Sequence, residues 1–226
     1  MTVEEAITGR QSIRAFLDTP VPRALIERIL ATASRAPSGT NAQPWRVWVL
    51  QGEAKESLSR DLCARFLRGE PAHHDYFYYL DDWREPYLAR RRVTGWGLYG
   101  LLGIIKGDRA ATKAQHARNF LFFDAPVGLI FTIDRDLGLG AWLDYGMFLQ
   151  SIMIAAREVG LETCAQAAFC QYHHVIEKRL GIPSDQIVVC GMALGYADPD
   201  AKVNGFRTER EPVPSSTTFV DQLPEE

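Results

Sequence analysis

Arg35-Ala36-Pro37-Ser38-Gly39-Thr40-Asn41-Ala42-Gln43-Pro44-Trp45 is the stretch that decides how this chain reads. Proline disfavours helical geometry in the residue before it, so Pro37 stops the helix that precedes it. Ser38, Gly39, Asn41 and Gln43 then present a hydroxyl, side-chain amides and bare backbone on one turn. Such a turn can hydrogen-bond a flat heteroaromatic edge that carries both donors and acceptors. Composition by itself says no more than a polar turn. One helix upstream, Arg10-Gln11-Ser12-Ile13-Arg14 alternates strictly. Extended, it puts Arg10, Ser12 and Arg14 on one face and Gln11 and Ile13 on the other. Two guanidiniums and a hydroxyl on one face suit a phosphate, which arginine grips through paired N–H groups.

The rest of the chain supplies a frame for these motifs. Thr2-Val3-Glu4-Glu5 has the capping-box pattern and opens a short helix that Gly9 closes. Pro22 suits the first turn of a second helix, striped by Leu25, Ile26, Ile29, Leu30 and Ala33. A strand runs through Arg46-Val47-Trp48-Val49-Leu50. A helix follows over 53–67, with Leu58, Leu62 and Phe66 four apart. Residues 108–122 read as a helix closed by Asp124-Ala125-Pro126, and 127–133 as a buried strand. The helix over 141–159 is apolar on several sides, which asks for burial at a subunit interface. Gly160 leads into a short strand, a helix over 172–180 ends at Gly181, and 187–195 is a second buried strand. Few strands, many helices and no regular βαβ alternation give the α+β class.

Between about 69 and 106 the chain changes character. Tyr76, Phe77, Tyr78, Tyr79, Trp83, Tyr87, Trp96 and Tyr99 stand beside Arg84, Arg90, Arg91 and Arg92. The segment reads equally as a helical excursion anchored by aromatics and as a lid over an aromatic-lined pocket. In the lid reading, aromatics such as Trp96 select flat ligands. From Tyr196 onward the chain is polar and proline-bearing, without a core pattern of its own.

The 226 residues are 46% hydrophobic and 23% charged, enough for one sizeable core, and no linker divides them. A net charge of -3 argues against nucleic-acid binding. The N-terminus lacks the pattern of a signal peptide, and no run of about 18 apolar residues predicts a membrane span. Cys63, Cys164, Cys170 and Cys190 show no C-x-x-C spacing, which predicts reduced thiols in a cytoplasmic protein. His73-His74 and His173-His174 are adjacent pairs. Neighbours on a helix point about 100° apart, so neither pair makes a metal face and no metal is expected.

The two N-terminal motifs, with Asp124-Ala125-Pro126, Gly160-Leu161-Glu162-Thr163, Gly191-Met192-Ala193-Leu194-Gly195-Tyr196 and Phe206-Arg207-Thr208-Glu209-Arg210-Glu211-Pro212, resemble the nitroreductase family of flavin mononucleotide (FMN) enzymes. The resemblance implies one domain over 1–226, with a mixed β-sheet sandwiched by helices. It also implies an intertwined homodimer, with FMN at the subunit interface and residues 196–226 packed on the partner. By the same resemblance, Arg10, Ser12 and Arg14 would bind FMN from one subunit, Arg10 at the phosphate and Arg14 towards the pyrimidine edge. Pro37, Ser38, Gly39 and Asn41 would reach that flavin from the other subunit. Ala167 and Ala168 match the place where backbone amides meet the flavin near N5. Arg207 and Arg210 match a basic pair at the phosphate, Arg210 the better of the two. The flavin would carry hydride at N5, so no catalytic side chain is named. The chain has no G-x-G-x-x-G fingerprint, so NAD(P)H and acceptor would visit one cleft in turn, by a ping-pong route. The implied function is NAD(P)H-dependent reduction of nitroaromatics. Its alternatives are an FMN reductase for quinones, enones or halogenated phenols, and a non-catalytic flavin-binding protein.

Overall fold

Strands β1 (Arg46–Leu50), β2 (Val127–Asp134), β3 (Glu162–Gln166) and β4 (Gln186–Gly195) form an antiparallel sheet in the order β1-β2-β4-β3. The computed structural model describes residues 1–223. β2 and β4 are buried almost throughout, as central strands covered on both faces must be. Alternation then sorts their side chains. Val127, Leu129, Phe131 and Ile133 enter one core, and Ile130 enters the other. The first core packs under α2 (Arg23–Ala33) and α6 (Leu139–Glu158), through Ile26, Ile29, Phe148 and Ile152. The second packs under α3 (Gly52–Arg68) and α7 (His173–Leu180), through Leu58, Leu62 and Ile176.

A parallel pairing enters at the β3 edge, where Ser12 bridges Thr163 and Ile13 N–H donates to Thr163 O at 3.1 Å. The alternating basic motif is therefore extended, and it is strapped to the sheet. It leaves α1 (Val3–Gly9), whose capping box joins Thr2 and Glu5.

The expected helix over 108–122 is broken. α5 (Arg109–Ala117), capped by Asp108, gives way to a tight turn in which Phe122, Phe123 and Asp124 have φ of 52, 53 and 69°. The cause is packing. Phe122 stacks on Phe169 at 4.4 Å, and a Cβ on Gly128 would meet the Phe122 ring at 2.6 Å. Burying the Phe122 and Phe123 rings is worth about 3–6 kcal/mol, of the same order as a left-handed cost of about 1–2 kcal/mol at each of the three residues.

The excursion is helical only in its second half. Residues 70–86 are irregular, with Pro71 and Pro86 near their ends, and α4 (Tyr87–Leu101) has no buried residue. Among the described helices, α6 alone is long and apolar enough to cross a membrane by length and composition, a test that the core helix of a folded protein also passes. Tyr145, Phe148, Ile152 and Ala156 of α6 belong to the core, whereas Leu139 and Leu143 stand exposed.

The C-terminal segment is divided rather than wholly committed to a partner. Ala197 bridges Phe16, and the Asn204 carboxamide accepts from Arg14 N and Ala15 N and donates to Ala15 O. Residues 197–207 thus pack on their own chain, because Asn204 satisfies backbone groups that the 10–15 segment leaves unpaired. Phe219 and Leu223 are 82% and 85% exposed. The last three residues of the expected extension lie outside the described residues.

Candidate active site

Arg10, Ser12, Arg14, Arg207 and Arg210 line one cavity of about 700 Å³. The strap to Thr163 presents the first three, and the Asn204 clasp brings in the other two. Arg207 donates to Gly9 O at 3.0 Å, Arg14 to Ser12 O at 3.1 Å, and Arg210 to Thr208 Oγ1 at 2.6 Å. Among the described residues, no carboxylate lies within ion-pair distance of Arg10, Arg14, Arg207 or Arg210. Burial and then the nearby Arg210 push the Arg10 guanidinium below its ordinary pKa. Crowded cations of this kind are relieved by an anion, and forked N–H donors with a hydroxyl match a phosphate.

Arg14 also lines a second cavity of about 490 Å³. Its walls are the end of β3 through Ala168, the aromatics Tyr76, Phe77, Tyr78 and Tyr79, and Tyr99. α4 roofs both spaces, with Thr94 on the basic cavity and Leu98, one turn later, on the aromatic one. Ala167 and Ala168 are half-buried here, so Arg14 joins them to the basic cluster. Gln166 Nε2 donates to Asn119 O at 2.7 Å and fixes the strand end beside them. Tyr76 donates to Val189 O and lies 3.4 Å from Cys170 Sγ. Burial lifts the Tyr76 phenol far above its ordinary range, so it stays protonated and anchors the segment. Trp96 lines neither cavity. It packs edge-on to Tyr99 under Lys106, so the aromatic wall of the cavity is Tyr99 with Tyr76–Tyr79 instead.

Pro37, Ser38, Gly39 and Asn41 line neither cavity of their own chain. Gly39 N–H donates to Asp144 of α6 at 3.0 Å, and Gln43 N–H donates to Ser38 Oγ at 3.0 Å. Thr40, Asn41 and Gln43 have φ of 49, 59 and 49°. Left-handed geometry is costly for a β-branched threonine, and strain of this kind gathers in functional loops. Trp45 is partly buried against the first core, stacked on Phe148 at 4.6 Å.

His116, Asn119 and Gln166 are site residues that the sequence did not announce. Burial lowers the pKa of His116. No local pattern marks these residues, since helix and strand meet there only after folding. The fold also gathers Asp75, His173 and Glu177, with ligand atoms within 4.8 Å of one another, where no metal face was expected. Arg135 forks onto both Asp75 oxygens at 3.1 Å, while His173 Nδ1 lies 3.2 Å from Asp75 and 3.0 Å from Glu177. With a guanidinium already on Asp75, the cluster is a charge network that ties the irregular segment to α7.

The Nitroreductase family model matches residues 7–196. The chain is 42% identical over 217 residues to 4-nitrobenzoate reductase of Pseudomonas putida, covering 96% of this chain and 95% of that one. Its fold matches the FMN and NADPH-dependent nitroreductase NfnB from Sphigopyxis sp. strain HMH with a TM-score of 0.95, at 37% identity over 98% of this chain and 100% of that one. It matches the FMN-dependent NfnB of Mycobacterium smegmatis in complex with NADPH with a TM-score of 0.91, at 28% identity over 96% and 97%. A family match over most of the chain, joined to a fold that agrees end to end, places this protein in the nitroreductase family.

Proposed function

We propose that the chain is an FMN-dependent enzyme that uses NAD(P)H to reduce nitroaromatic compounds, with FMN lying across the two cavities. The observation that carries this reading is the convergence of Arg10, Ser12, Arg14, Arg207 and Arg210 on one cavity, with no paired carboxylate among the described residues. A phosphate monoester carries close to two negative charges near neutral pH, and this donor set fits it. Arg10, Arg207 and Arg210 would hold the phosphate, and Ser12 would add a hydroxyl. Arg14, shared by both cavities, would stand at the polar edge of the ring. Bound FMN supplies hydride transfer between NAD(P)H and the acceptor. Ala167 and Ala168 would offer their backbone N–H groups to the ring edge. Tyr78 and Tyr79, exposed on the aromatic cavity, form a wall against which a flat acceptor can stack.

The exposed flank of α6, with Leu139 and Leu143, and the exposed Phe219 and Leu223 support a homodimer. In that assembly Pro37, Ser38, Gly39 and Asn41 would serve the partner's flavin. Four free cysteines fit a reduced, cytoplasmic setting.

The purified protein should be yellow, anaerobic NADPH should bleach it, and 4-nitrobenzoate should restore the colour. Bound flavin that does not bleach would mean a binder rather than an enzyme. Recovery with quinones but not with nitroarenes would move the acceptor class. Sedimentation at micromolar concentration should give a dimer, and a stable folded monomer would sink that part.

A further inference from the structure

Behind the basic cavity lies a charge that its lining does not use. Glu162, at the start of β3, pairs with Arg157 of α6, and their side chains are 20% and 16% exposed. Glu162 bonds through Oε1, while Oε2 is buried with no hydrogen-bond partner among the described residues, as is Arg157 Nε. Arg157 lies against the residue that leads into the basic motif: a Cβ on Gly9 would sit 2.6 Å from Arg157 Nη2. Gly9 O in turn accepts from Arg207. Burial pushes the Glu162 carboxyl up, and Arg157, Arg207 and Arg10 act against it.

We propose that Glu162 is a built-in counter-ion of the basic cavity: it steadies Arg10 and Arg207 before an anion binds and repels the phosphate once it enters. It thereby sets how strongly the site prefers FMN over the same flavin without phosphate. The proposal rests on the FMN reading above. Clustered guanidiniums repel one another, and a nearby carboxylate relieves that repulsion. The same carboxylate meets a bound phosphate as a like charge. Removing it should therefore move two observables in opposite directions, which a merely structural ion pair would not do.

The test uses Glu162→Gln in the full chain, stripped of flavin and titrated with FMN and with riboflavin by fluorescence quenching. We expect FMN to bind about ten-fold tighter, riboflavin to stay within about two-fold, and the flavin-free protein to melt lower. Unchanged or weaker FMN binding overturns the proposal, and so does a parallel loss with both flavins. Should the Gln variant fail to fold, Arg157→Met with Glu162→Met removes the pair without leaving a lone buried charge. In that variant the preference for FMN over riboflavin should still rise, and no rise overturns the proposal. If the unaltered protein binds riboflavin as tightly as FMN, the phosphate reading itself fails, and this proposal with it.

Discussion

The basic cavity and the aromatic cavity share Arg14, yet they are held together differently. The basic one is strapped by backbone. Ser12 pairs with Thr163, Leu17 N–H donates to Tyr196 O, and Asn204 clasps residues 14 and 15. The aromatic one takes much of its wall from residues 70–86 and from α4, which buries no residue, and Phe77 is 80% exposed. Elements with few buried apolar contacts open at low free-energy cost, while those locked into a sheet open only with the whole domain. The difference teaches a division of labour. The basic end is templated by the sheet, and the aromatic end is a surface structure that can change without unfolding the rest.

Arg10→Ala should break the first half of this comparison most severely. Losing a charge-assisted, forked contact costs about 2–3 kcal/mol, which is roughly a 30- to 150-fold weaker hold on FMN. Equilibrium dialysis would measure it, and undiminished flavin content would remove Arg10 from the site. Next in size, Asn204→Ala leaves the backbone N–H groups of Arg14 and Ala15 without their acceptor. It should destabilise the protein by about 2 kcal/mol in denaturant unfolding. A stability unchanged within about 0.5 kcal/mol would show that the clasp is incidental.

The aromatic end should respond in another way. Tyr99→Ala should alter the ratio of kcat/KM between nitroarenes and quinones by up to about ten-fold, with FMN affinity within about two-fold of the unaltered protein. A uniform fall with all acceptors, together with flavin loss, would make α4 structural and the two ends alike. The smallest effect concerns pH. Burial lowers the pKa of His116, so the unfolded chain binds its proton more readily than the folded one. Stability should therefore fall as pH drops below the ordinary histidine range of about 6.5. His116→Gln should flatten part of that slope in melts between pH 7 and 5, and an identical slope would show that His116 titrates freely in the fold.

Short-range chemistry was legible in the sequence. The Thr2–Glu5 capping box, the left-handed glycine that ends α7, and the apolar runs of β2 and β4 are written in residues that touch or nearly touch along the chain. So was the chemical character of the Arg10, Ser12 and Arg14 face, because alternation in an extended segment needs nothing beyond the segment itself. Tertiary structure alone decided what these pieces meet. Arg207 reaches Gly9 across 198 positions, and Gln166 reaches Asn119 across 47. The break after Ala117 was equally invisible, because it answers to rings on Phe122 and Phe169 stacking over Gly128. Local propensity acts over a turn or two. Charge crowding, close packing and the satisfaction of buried backbone groups act between surfaces that exist only once the chain has folded.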